Sequence, residues 1–165
     1  MSDGHLPLPV LPLWLRLSLV AAVAAVIFYY SVWTVPPPEP ITPGPITPPS
    51  PTPADDRFPD LVSLIEWRHI TAYFALGVSL AYAFVTDTRP MLRKLALVVA
   101  VAFAYGVFIE VSQTVFTHRT FAVRDLGLNA VGIAASTGWY ALERYGRPVD
   151  VGAWIRAFAR AQRTP

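Results

Sequence analysis

The chain has no cysteine, which rules out disulfides and thiolate metal sites and leaves the redox compartment unread. It has no HExxH-type spacing either, so the common helical zinc-site pattern is missing. Charge is scarce: 15% of the 165 residues are charged and 54% are hydrophobic. A soluble domain of this length is not built from that mixture. A net charge of +2 is too small to point to nucleic acid. No lysine or arginine precedes Arg16, and no A-x-A site follows the first apolar run. Both absences argue for an uncleaved anchor over a cleaved signal peptide.

What the chain does have is four apolar stretches. The first, Leu17 to Val35, holds 19 residues without a charge and covers roughly 28 Å as a helix. Trp14 at one end, and Tyr29, Tyr30 and Trp33 at the other, suit interfacial aromatic belts. Residues 36–60 then carry eleven of the 17 prolines. Such a run favours extended polyproline II and reads as an acidic spacer, with a partner docking site as the lesser alternative. The second stretch, Ile70 to Val85, has 16 uncharged residues, roughly 24 Å and short of a full span. Glu66-Trp67-Arg68-His69 is therefore expected at the membrane edge. The third, Leu95 to Phe116, is interrupted by Glu110 and Gln113. Its Ala102, Gly106 and Glu110 recur every four residues, a spacing that lets a neighbouring helix approach closely. The fourth runs from Leu126 to Leu142, with Asp125 placed to cap its N-terminus. Asp125, Asn129, Gly132 and Ser136 form one polar-and-small stripe that faces protein, and Trp139 and Tyr140 are expected at the far interface. After Asp150, Val151, Trp154, Ile155 and Phe158 recur at helical spacing, with Arg156, Arg160 and Arg163 largely on another face. That pattern suits a helix lying on an anionic membrane surface.

The fold class read from these stretches is all-α: a four-helix transmembrane bundle with a basic amphipathic tail helix. Its parts are the N-terminal tail and first helix (1–35), the Pro-rich external linker (36–60), a three-helix membrane core (61–145) and the tail (146–165). Short cationic loops mark the cytoplasmic side. The connection 86–94 has Arg89, Arg93 and Lys94 against Asp87, and the segment from Glu143 has five arginines against two acids. Both termini are thus expected in the cytoplasm, in a multi-pass protein of the cell membrane. The turn 117–125 falls outside, where Arg119 and Arg124 run against the rule and need another reason to be there.

This topology gathers His69, Glu110, Gln113, Arg119, Asp125 and Asn129 in the outer leaflet. No comparable set is expected at the inner end. Glu110, near the negative end of a helix dipole, needs a cation or a proton, and Arg119 is the nearest cation, with Arg68 or His69 next.

Glu110-x-x-Gln113, Arg119, Asp125, Asn129 and Gly132, with His69 heading the preceding helix, resemble the signature of the VanZ-like membrane proteins. The similarity covers roughly 60–145. The family often has lysine three before the histidine, where this chain has Glu66, and glycine four after Gly132, where it has Ser136. Arg68 is the candidate substitute cation. The resemblance implies a small polytopic protein of the cell envelope, and the founding member is linked to resistance to the antibiotic teicoplanin.

Several roles stay open for the cluster. It can bind a lipid-linked or amphiphilic molecule, with Arg68, Gln113 and Asn129 as ligand-binding groups. It can be a membrane-embedded enzyme, with His69 and Glu110 as acid and base, Arg119 holding an anionic group, and Asp125 beside them. A metal site from His69, Glu110 and Asp125, with His118 as a fourth candidate, is a third version, and neither metal nor cofactor is assigned. The plain alternative is that the polar groups satisfy one another and fix helix register. Membrane lipids are the expected surroundings, nucleic acid is not a partner, and a homo-oligomer stays open.

The topology is checkable because the chain lacks cysteine. Single cysteines at Thr47 and Thr120 should react with an impermeant thiol reagent in intact cells, and one at Thr88 should not. Labelling at 88 alone would reverse the orientation.

Overall fold

A computed structural model describes residues 6–34, 64–117 and 121–161. The Pro-rich linker 36–60, His118 and Arg119 lie outside them. The described chain is mostly helical: α1 (Leu13–Phe28, continued by a π-helical turn Tyr29–Trp33), α2 (Leu64–Ala83), α3 (Met91–Phe116), α4 (Val123–Ser136), α5 (Trp139–Tyr145) and α6 (Val151–Ala161). Two of these stretches, Leu13–Trp33 with 21 residues and Met91–Phe116 with 26, are long and apolar enough to cross a membrane.

The helices begin earlier than the uncharged runs suggest. α1 and α3 start directly after Pro12 and Pro90, whose fixed φ and missing N–H suit a helix boundary. α2 takes in Glu66 to His69 and reaches 20 residues, roughly 30 Å rather than the short span expected. The fourth apolar stretch is broken. The hydroxyls of Ser136 and Thr137 bond the carbonyls of Ile133 and Ala134 at 2.6 and 2.7 Å. Such side chains compete with the helix ladder, and the chain turns at Thr137 and Gly138 before α5.

α1 and α3 run side by side in the same direction, joined by the Tyr105 hydroxyl to Ala24 O at 2.6 Å and by Gln113 Nε2 to Ser31 O at 2.9 Å. α2 and α4 run the opposite way. The core between them holds Tyr73, Leu76, Leu80, Val98, Ala102 and Ile109. The small-residue stripes face protein as expected: Ala102, Gly106 and Glu110 on α3 are buried, as are Asn129, Gly132 and Ser136 on α4. α2 and α4 meet backbone to backbone. A Cβ on Gly132 would strike Ile70 O and come within 2.9 Å of Phe74 N, and one on Gly77 would strike the Ser136 side chain. Ser136 thus sits where Gly77 on the facing helix makes room for it.

The opposite end of the helices corrects two expectations. It has buried charges of its own. Arg16 is 4% exposed and donates to Ala83 O at 2.8 Å, Tyr82 O at 3.3 Å and Thr86 Oγ1 at 3.0 Å. It thereby satisfies the last carbonyls of α2 at the negative end of that helix. Lys94 is 6% exposed and paired with Glu143, so it is a packed residue and not a free loop cation. Tyr140 is buried in the core beneath Lys94, 5.9 Å from its ring centre, rather than at an interface.

The all-α expectation also needs an addition. β1 (Leu6–Val10) and β2 (Gly146–Asp150) pair in parallel, Leu6 with Gly146 through Val10 with Asp150. Three prolines lie in this ribbon. In a parallel ladder only alternate residues of each strand bond across, and the register puts Pro7, Pro9 and Pro148 at the positions that need no N–H. Asp150 then caps α6, accepting from Ala153 N at 2.9 Å, which matches the helix start read from the sequence.

The α2–α4 contact predicts a contrast between two glycines of one helix. Gly132→Ala should lower stability in detergent by about 1–3 kcal/mol through overpacking. Gly127→Ala meets nothing within 4 Å and should leave the melting temperature unchanged or slightly raised.

Candidate polar site at the α2–α4 helix starts

The site forms where α2 and α4 begin and α3 ends. His69 lies in the second turn of α2, and Asn129 in the second turn of α4. The glycine-mediated approach of the two helices brings His69 Nδ1 to 3.1 Å from Asn129 Oδ1. The other ring nitrogen faces Asp125 Oδ2 at 3.8 Å, an ion-pair distance and too long for a hydrogen bond. His69 and Asp125 keep 18% and 17% of their side chains exposed, whereas Asn129 is 1% exposed. The site therefore has a partly open rim and a sealed floor.

Asp125 does not cap α4. The N-cap is Ala122, and Asp125 sits in the first turn, where its charge still faces the positive helix end. The group that meets the helix start comes from α3: Glu110 Oε2 accepts from Ala122 N at 3.2 Å. A carboxylate on an N-cap N–H is what a capping box supplies within one helix; here a neighbouring helix supplies it. Glu110 is 1% exposed.

Gln113 turns away from these groups and bonds the α1 backbone. Arg68 is exposed and makes no side-chain hydrogen bond or ion pair among the described residues, so the structure gives it no place in the cluster. The cation beside α2 is instead Arg124, paired with the buried Glu66. This gives Arg124 the reason that the charge rule denied it. Opposite charges at the starts of two helices running in the same direction were the sequence signal for that pair. Tyr73, one turn inward from His69 and 2% exposed, also belongs to the floor; as one aromatic among apolar neighbours it gave no sequence signal. Among the described residues no group of three His, Cys, Asp or Glu is placed to hold a metal ion.

An apolar groove of about 600 Å³ lies elsewhere, between α1, α2 and β1, lined by residues such as Leu19, Val23, Phe74 and Val78. It has no part in the polar cluster.

Polar groups are enclosed while Val99, Val101, Phe103, Phe108, Val111 and Val115 stand exposed along α3. That inversion, together with the two long apolar helices, defines a helical membrane protein. The chain belongs to the VanZ/LLP1 family, whose model matches residues 17–144. No curated protein and no solved structure matches it.

The Glu66–Arg124 pair is open to a charge swap. Glu66→Lys should lower stability, and adding Arg124→Glu should restore most of the loss. The coupling should be about 1 kcal/mol at most, because the Arg124 side chain is 77% exposed and solvent screens it. A double-mutant cycle on melting curves measures it.

Proposed function

We propose that this is a four-helix, multi-pass protein of the cell envelope that binds a lipid-linked or amphiphilic molecule at the outer leaflet, through the polar site. The observation that carries this is the His69–Asn129–Asp125 cluster, with a partly exposed rim, set beside the buried Glu110. A partly exposed polar cluster at the end of helices with apolar exteriors suits a ligand with a polar head and an apolar body. Arg119, two residues beyond Thr117 at the end of α3, is the cation assigned to an anionic head.

The ribbon supports the count of crossings. β1 and β2 pair, so the segments before α1 and after α5 lie on one side of any membrane, and the crossings between them are even in number. With α1 and α3 as two of them, α2 and the α4–α5 segment make four. The cationic 86–94 connection and tail put that side in the cytoplasm. The tail helix α6 lies on the inner membrane surface in this reading.

Binding is favoured over acid/base catalysis because the polar groups hold backbone and one another. Glu110 accepts from the start of α4, and His69 is engaged by Asn129 on one ring nitrogen and faces Asp125 with the other. Resistance to teicoplanin is not carried over to this chain, since likeness of family is not identity of function.

Glu110→Gln keeps an acceptor for Ala122 N–H, so it should fold and melt as wild type. Arg119→Lys keeps the charge and loses the planar fork. Native mass spectrometry of the detergent-solubilised chain should show a lipid-sized adduct on the wild type, reduced roughly tenfold or more in both variants. Wild-type adduct levels in both variants would end the binding reading. Early melting of both would mean that the cluster serves only to hold the helices together.

A further inference from the structure

His69 and Asp125 face each other across the rim of the site, with Nε2 of the ring 3.8 Å from Oδ2 of the carboxylate. The opposite ring nitrogen decides what this pair offers. Nδ1 meets Asn129 Oδ1 at 3.1 Å, and a carbonyl oxygen has no hydrogen to give. The ring proton is therefore on Nδ1, and in the neutral ring Nε2 presents a lone pair. An ionised carboxylate likewise only accepts. The rim thus turns two acceptors toward each other with no hydrogen between them, at a distance that no direct hydrogen bond spans.

The surroundings leave this pair to a guest. Both side chains are partly exposed, at 18% and 17%. Neither neighbouring arginine covers Asp125: Arg124 pairs with Glu66, and Arg68 makes no ion pair among the described residues. A water in such a gap gives one hydrogen to each acceptor. A ligand group replaces that water without loss only if it brings donors of its own. An anionic oxygen would instead meet a carboxylate and a lone pair.

We propose that His69 and Asp125 select amphiphiles whose polar head brings donor hydrogens to the rim, as an ammonium or as a pair of hydroxyls. This rests on the binding reading above and leaves the anionic part of the head to Arg119. His69 Nε2 and the Asp125 carboxylate each accept one hydrogen from the head. Asn129 is a positioning residue: it holds the ring proton on the nitrogen away from the ligand.

Native mass spectrometry of the detergent-solubilised chain, with added lipids of identical acyl chains, tests this in two arms. The first compares phosphatidylethanolamine with phosphatidylcholine, which keeps the charge and has no N–H. The second compares phosphatidylglycerol with phosphatidylpropanol, which keeps the phosphate and has no hydroxyl. The donor-bearing lipid should give roughly tenfold more adduct in at least one arm, the effect of a hydrogen bond to a charged group. A preference in the first arm alone identifies an ammonium, and in the second alone a hydroxylated head. Asp125→Asn removes the charge and supplies a hydrogen to Nε2, so it should level the preference; a folded variant that keeps it overturns the proposal. Nitrogen-15 NMR, with His69 assigned by the loss of its signals in His69→Gln, should place the ring proton on Nδ1. A proton on Nε2 overturns the proposal. Equal or reversed adduct levels within both arms overturn it too and leave the binding reading standing. No adduct with any of the four lipids ends the binding reading and the proposal together.

Discussion

The rest of the structure depends on the backbone contact between α2 and α4. Gly132 lets the Ile70 carbonyl and Phe74 amide come against α4, and Gly77 admits Ser136 about two turns from His69. Only at this separation can His69 reach Asn129 at 3.1 Å and face Asp125. Hydrophobic burial contributes little to helix association in lipid, so van der Waals contact of small residues has to do that work. The same contact that joins the helices therefore sets the geometry of the polar site.

Around this pair of helices, polar side chains of α1 and α3 are turned mostly onto backbone. Glu110 meets the amide of Ala122, Gln113 the carbonyl of Ser31, and Arg16 the carbonyls that end α2. Each partner is a group at or near a helix end, or in the π-helical turn after α1, where the regular ladder has run out or loosened. Where water is excluded, an unmet carbonyl or amide is expensive, and long side chains from neighbouring helices serve as external caps. The molecule has such caps at both ends. One set borders a rim with the partly exposed His69 and Asp125, and the other is Arg16, buried at the end of α2.

Much of this was legible in the sequence, for physical reasons that can be named. Uncharged runs located the helices, and spacings of three and four put Asn129, Gly132 and Ser136 on one buried face. Alternating helix direction then brought His69 to Asp125 and Asn129. Helix starts were less legible, because Pro12 and Pro90 set them and charge does not. Lys94 looked like a loop cation, since a sequence does not reveal that a charge is met by a group far along the chain. Arg68 looked like the substitute for the family's lysine, whereas beside α2 it is Arg124 that pairs with Glu66. The β1–β2 ribbon was invisible: two proline-bearing segments far apart in the chain read as breaks, since proline argues against a strand.

That ribbon has a consequence for how the molecule is made. Leu6–Val10 is made before its partner Gly146–Asp150, which follows only after α1 to α5. Strand pairing over such a separation is slow and is the final closure, not the nucleus. For the whole of synthesis the early strand presents a bare edge to any other extended chain. Pro7 and Pro9 withhold the donors along the outer side of that edge. The strand is thereby guarded against pairing on its wrong flank while it waits for the one partner whose register accepts it.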